Sequence, residues 1–251
     1  MGANSKTDLM QLVIDIGNTR VKCGLFSDHG LQWGMPVSAM EDHEFHALFQ
    51  REDIHAAIFS SSGQLSNDLR QLLEKARFPV LELDHSMPLP FRNHYLTPES
   101  LGLDRLANVA GAQLLFPEQN SLVIDVGTCI TYDLLEAGME YKGGIISPGL
   151  EMRAKAMNHF TARLPKVSAS ATDLLGVTTE QALQSGTFNA CIAEIDGIIK
   201  AFNKRYNSLN VIMTGGDLTT LQGHVENSIF ARPYLQLEGL NELLLYQLSR
   251  L

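Results

Sequence analysis

The sequence predicts a mixed α/β protein made of two similar halves. Three observations lead there. The stretches "LVIDIGNTRVK" at residue 12 and "LVIDVGTCITYD" at residue 122 both run an apolar strand into aspartate, one apolar residue and glycine, with threonine close behind. Strand-like and helix-like periods alternate along the rest of the chain. Its 251 residues are enough for two halves of ordinary domain size.

Composition narrows the class. Hydrophobic residues make up 45% of the chain and charged residues 19%, the usage of a globular enzyme able to bury a core without staples. Cys23, Cys129 and Cys191 are far apart and form no CxxC pair, which argues against a disulfide framework or a zinc site and fits a reducing cytosol. The net charge of -9 comes with no basic block, so a nucleic-acid partner is not expected. A small anionic ligand held by local dipoles remains compatible. No run approaches the ~18 apolar residues of a membrane span, and the opening "MGANSKTDLM" lacks the apolar region of a secretion signal. A cytoplasmic protein without membrane contact is expected.

Residues 1–11 read as a leader. "QLVIDIGN" and "TRVKCGLF" read as two strands of a hairpin, in which Val21, Cys23 and Leu25 alternate with Arg20 and Lys22. A helix in "MEDHEFHALFQRE", a strand in "IHAAIFSS", a helix in "LSNDLRQLLEKA" and a short strand in "PVLELD" follow. The segment 84–100, with three prolines, reads as an irregular crossing, so the expected halves are 12–100 and 101–251. In "LGLDRLANVAGAQLLF" the apolar spacing places Gly102 to Arg105 at a helix start. The second half repeats the plan with strands in "SLVIDVG" and "CITYDLLE" and a glycine-rich turn and strand in "YKGGIISPG". Helices follow from Leu150, then a strand with a glycine turn in "LNVIMTGGD" and a closing helix in "LEGLNELLLYQLSRL".

The repeated turns carry chemistry suited to phosphate. Glycine lets backbone N–H groups approach an anion, and threonine or asparagine adds donors without bulk. Asp15 and Asp125 would repel phosphate directly and would instead hold a cation, or water on a cation, that neutralises it. "TGG" at 214–216 is a third glycine turn at a strand end. By contrast, His43 and His46 lie on an acidic amphipathic stretch with no further ligand and read as a solvated face. Lys22 reads equally well as the polar face of an edge strand.

Duplicated hairpins with a distal glycine turn resemble the actin, hexokinase and Hsp70 type of ATPase fold, which implies two ribonuclease-H-like halves with an ATP cleft between them. More specific patterns are present. They are Asp15, Gly17, Asn18, Thr19 and Lys22; Pro98, Gly102, Asp104 and Arg105 after Tyr95; and Asp125, Gly127 and Thr128 followed by Thr131 and Asp133. To these add Gly143, Gly144, Ile146, Pro148 and Gly149, then Thr179, Ala182, Ser185 and Gly186. Together they resemble the type III pantothenate kinases from Leu12 to about Leu243, except that Thr178 stands where that family usually has asparagine.

The resemblance implies transfer of the ATP γ-phosphate to the 4'-hydroxyl of pantothenate, the first step of coenzyme A biosynthesis. It makes Asp104 the base and Tyr95, Gly102, Leu103, Asp104, Arg105 and Thr179 the pantothenate contacts. Asp15, Ile16, Gly17, Asn18, Thr19, Arg20, Val21, Lys22 and Thr128 become the ATP contacts. Mg2+ and a monovalent cation, K+ or NH4+, are implied, with Asp125 as the monovalent-cation ligand, and so is a homodimer. A sugar or acetate kinase is a weaker match, since the "GLDR" block is not its signature. A non-catalytic regulatory relative resembling the Bvg accessory factor is the alternative; the presence of Asp15, Asp104, Arg105, Asp125 and Thr179 argues for the kinase.

Overall fold

A computed structural model describes residues 9–17 and 20–251, without the side chains of Ala39 and Asp42. The first eight leader residues and the expected phosphate contacts Asn18 and Thr19 lie outside the described residues. In chain order the elements begin with β1 (Met10–Ile16), β2 (Val21–Ser27), β3 (Gly30–Pro36), α1 (Asp42–Leu48), β4 (Ile54–Ser61), α2 (Asn67–Glu74), β5 (Val80–Glu82), the two-residue β6 (Arg92–Asn93) and α3 (Leu103–Leu115). There follow β7 (Ser121–Val126), β8 (Cys129–Glu136), β9 (Glu140–Pro148), α4 (Leu150–His159), α5 (Thr179–Asn203), β10 (Asn210–Thr214), α6 (Leu218–Leu221), β11 (Phe230–Ala231) and α7 (Leu235–Leu248).

Two compact units result. One comprises Met1–Leu114 with Tyr234–Leu251, the other Leu115–Pro233. The break expected at residue 100 from the proline-rich crossing thus differs from the breaks between these units, and the closing helix α7 belongs with the first.

The duplication is explicit in the sheets. In the first unit the strand order is β3-β2-β1-β4-β5, and in the second the corresponding strands run β9-β8-β7-β10-β11. Each sheet has an antiparallel three-strand meander whose first strand then pairs in parallel with a fourth, as β1 does with β4 and β7 with β10. Every residue of β1 is buried, which explains its nearly unbroken apolar run: both faces of this inner strand are covered. Leu12, Ile14, Leu25, Phe49 and Ala57 lie in the core of the first unit; Leu122, Ile124, Tyr132, Phe188 and Ile195 lie in that of the second.

Two local features differ from the sequence reading. β3, in "GLQWGMP", has no alternation to reveal it and is only half-buried, yet it pairs along β2 from Ser27 to Lys22. Gly143 and Gly144 lie inside β9 rather than in a turn. Gly143 takes φ +98° where the β8–β9 register shifts, so it accommodates a bulge.

In the first unit, α3 and α7 approach closely enough to exclude side chains. A Cβ at Gly239 would overlap the Ala107 carbonyl oxygen, and one at Gly111 would lie 2.7 Å from the Leu235 carbonyl oxygen. Backbone cannot yield as a side-chain tip can. Gly239→Ala is therefore expected to destabilise the fold by about 3 kcal/mol as an overpacking change. Thermal unfolding should show Tm lower by roughly 6–12 °C.

Candidate functional site

Asp15 is the next-to-last residue of β1 and only 5% exposed. A buried carboxylate is costly unless hydrogen bonds replace its lost water. Here Ser60 Oγ donates to Asp15 Oδ1 at 3.0 Å, and Gln236 Nε2 donates to the same oxygen at 2.8 Å. The parallel register places Ser60 beside Asp15, and the antiparallel register places Lys22 opposite it. Because β2 runs between β1 and β3, Lys22 lies on an inner strand rather than an edge strand. The hairpin closes through the Gly17 N–H on the Arg20 carbonyl at 3.0 Å. Arg20 is exposed and Val21 half-buried against the core, while Ile16 is buried.

Asp125 holds the equivalent place on β7, half-buried, with Thr131 and Thr214 as its cross-strand neighbours. The third glycine turn packs against it. Gly215 has φ +105°, and a Cβ there would lie 2.5 Å from both Asp125 Oδ1 and the Val126 carbonyl oxygen. A Cβ at Gly149 would overlap the Gly127 carbonyl oxygen, so Pro148 and Gly149 lie directly on the turn that carries Thr128. Thr128 itself is exposed.

A network that sequence reasoning missed fixes that turn. Glu194 on α5 accepts from Tyr132 Oη at 2.9 Å, from Ser147 Oγ at 3.1 Å and from Arg153 at 2.6 Å, and Arg153 Nε also donates to the Pro148 carbonyl at 2.8 Å. Burial alone would raise the Glu194 carboxyl, but the bonds from Arg153, Ser147 and Tyr132 outweigh it and hold the group below the usual carboxylate range. No sequence spacing brings Tyr132, Ser147, Arg153 and Glu194 together; only the β8–β9 pairing and the packing of α4 on α5 do.

At the start of α3, Asp104 is half-buried and its Oδ1 accepts from the Arg105 N–H at 2.9 Å. A Cβ at Gly102, two residues before it, would overlap that oxygen, so a larger residue there would displace the Asp104 side chain. Arg105 is 4% exposed, and its guanidinium carbon lies 5.5 Å from the Tyr95 ring centroid, a cation–π pair. Leu103 is half-buried. Thr179 is exposed on the first turn of α5. Thr178 caps that helix by accepting from the Gln181 N–H at 3.2 Å, a task for which threonine and asparagine are both suited.

Three conspicuous side chains stay outside these groups. His46 pairs with Asp68 at 3.0 Å on the exposed faces of α1 and α2, as a solvated histidine would. Cys23 is buried, which pushes its thiol up to about 12, and Cys191 likewise to about 11, so both are inert packing residues. Among the described residues no three His, Cys, Asp or Glu side chains converge on a metal site. Asp15 and Asp125, at the strand ends beside glycine turns, are hard oxygen donors of the type that Mg2+ takes alongside phosphate oxygens and water. Beside the 214–217 turn, a cleft of about 490 Å³ is lined by Leu150, Ala154, Lys155, Val167, Asp217 and Thr220.

A twice-written sheet with an aspartate at the end of each leading strand and glycine turns beside it defines a nucleotide-phosphate-binding protein of the actin and hexokinase type. Solved structures agree on the fold. A Campylobacter jejuni protein named as a Baf family transcriptional activator is similar with a TM-score of 0.57 at 20% identity, over 95% of this chain and 99% of that one. A glucokinase from an Antarctic psychrotroph is similar with a TM-score of 0.52 at 13% identity, over 95% and 99%.

Sequence relatives are more specific. The family model for type III pantothenate kinase matches residues 11–201. The type III pantothenate kinase of Christiangramia forsetii is 42% identical over 94% of this chain and 98% of its own length; that of Phocaeicola vulgatus is 41% identical over the same shares. The chain belongs to the type III pantothenate kinase family.

Gly215→Ala would impose strain at a positive φ and press a methyl group onto the Asp125 carboxylate. Since displacement of a positioning group by about 1 Å can cost ~10²-fold in rate, kcat/KM for ATP is expected to fall by about that factor. Steady-state kinetics on the folded variant decide the matter, and wild-type turnover would show that the Asp125 position is immaterial.

Proposed function

We propose that the protein transfers the γ-phosphate of ATP to the 4'-hydroxyl of pantothenate and so opens coenzyme A biosynthesis. Membership of the family carries this reading, and the built Gly102–Arg105 helix start supports it over a non-catalytic regulatory role. ATP is the co-substrate and a divalent ion accompanies it.

Asp104 is the base. With Oδ1 committed to the Arg105 N–H, Oδ2 receives the hydroxyl proton as the alcohol oxygen bonds to the γ-phosphorus and the bond to the ADP oxygen breaks. Such a transfer has a loose transition state, so position and charge matter more than basicity. Tyr95, Gly102, Leu103, Arg105 and Thr179 hold pantothenate. Arg105 does so from a fixed place, since burial and the Tyr95 ring restrict its guanidinium.

The segment from Asp15 to Lys22, with Asn18 and Thr19, holds the ATP phosphates together with Thr128. Mg2+ supplies charge neutralisation on those phosphates, and Asp15 faces it directly or through water. Asp125 is the ligand of a monovalent cation, K+ or NH4+, and the cleft beside the 214–217 turn receives the nucleoside end of ATP.

The working form is a homodimer in the cytoplasm. Leu174, Leu175 and Val177, each more than 80% exposed immediately before Thr179, are apolar surface that a second copy would cover. No helix among the described residues is long and apolar enough to cross a membrane.

The purified protein with ATP, Mg2+, K+ and pantothenate is expected to form 4'-phosphopantothenate; folded protein that makes none would remove the kinase reading. Asp104→Asn should lower kcat by ~10²-fold or more with little change in ATP affinity, as loss of a general base requires. Light scattering should return twice the 27.7 kDa chain mass, and a monomer would reject the dimer.

A further inference from the structure

Gln236 lies on the first turn of α7, yet its amide reaches Asp15 at the end of β1. The bond joins residues 221 positions apart, between the closing helix and the first strand. It is a short contact to a carboxylate that is almost wholly out of water.

Ser60 Oγ from β4 and Gln236 Nε2 from α7 both donate to Oδ1. Donors that converge on one carboxylate oxygen from two elements fix its orientation, as outer partners do for carboxylates that meet a metal ion.

The carrier of the amide is also rigid. Three residues after Gln236, Gly239 packs on the backbone of α3 at Ala107, and Leu235 packs on Gly111 of the same helix. The first turn of α7 therefore cannot drift without separating two helices in backbone contact. The first turn of α3 carries Asp104 and Arg105, so one helix pair positions both the Asp15 donor and the proposed base.

We propose that Gln236 is a positioning residue for the divalent ion that accompanies the nucleotide: it holds the Asp15 carboxylate in the orientation that meets that ion or its water. The inference rests on the assignment of Asp15 to the metal side of the ATP site. It also makes α7, which lies beyond the residues matched by the family model, part of the phosphate-binding apparatus.

The test is a direct binding titration. A fluorescent, non-hydrolysable ATP analogue is bound to the protein without metal and then titrated with MgCl2. In Gln236→Met, which keeps length but not the donor, the Mg2+ concentration for half-maximal enhancement is expected to rise about 10-fold. Metal-free affinity should stay near that of the wild type, while Tm should fall by roughly 2–8 °C, the effect of one donor lost from a buried carboxylate. Gln236→Asn, which withdraws the amide by one methylene, should shift the same midpoint in the same direction and serves if the methionine variant does not fold.

A Mg2+ midpoint unchanged in either folded variant would overturn the proposal. So would equal losses of metal-free and metal-dependent binding, the mark of a merely structural contact. Asp15→Asn separates the two levels. It should abolish the Mg2+ enhancement, and a wild-type titration there would overturn the assignment of Asp15 itself, whereas an effect of Asp15→Asn with none at Gln236 would overturn only the role of Gln236.

Discussion

The constraint on which the first unit depends is a charge placed at the buried end of an inner strand. Asp15 stands where β1 has lost contact with water on both faces, and a carboxylate there is tolerable only with donors aimed at it. Those donors come from β4 and from α7. The requirement to satisfy one oxygen therefore dictates the β1–β4 register at Ser60 and the docking of the closing helix at Gln236. A slip of one residue in that register would turn Ser60 to the opposite face and take its hydroxyl away from the oxygen.

The second unit solves a related problem with different means. Asp125 occupies the same topological place but is only half-buried, and glycine backbone packs closely against it. Gly215 and Gly149 bring backbone against the turn at distances that a Cβ would forbid, and the Arg153–Glu194 pair keeps β9 from moving away. A duplicated scaffold thus carries two unlike sites. Topology was copied, while the chemistry at each strand end was set locally by what packs there.

Much of this was legible in the sequence, because its strongest signals are local. The alternating strands, the aspartate-glycine turns and the helix start at Gly102 each depend on neighbours in the chain, and all lie where their patterns place them. Gly102 was legible as part of a motif, although its closeness to the Asp104 carboxylate needed coordinates. β3 was not legible: its glycines, proline and half-exposed face erase the alternation that identifies a strand. Ser60, Gln236, Arg153 and Glu194 were hidden for another reason. Each acts through a partner at least 41 residues away, and nothing in an isolated glutamine or arginine announces such a partner.

The discontinuity of the first unit gives this long-range dependence a kinetic meaning. Strands β1 to β5 and helix α3 can pair as they are made, since their contacts are with near neighbours in the chain. The segment Tyr234–Leu251 must return across the whole second unit to reach them. Until α7 docks, Asp15 Oδ1 has Ser60 but not Gln236, and Gly111 faces no helix. Such distant contacts form late, because loop closure is costly before they repay it. The place of the carboxylate therefore depends on strand pairing and its orientation on the segment of the unit that is most distant in the chain.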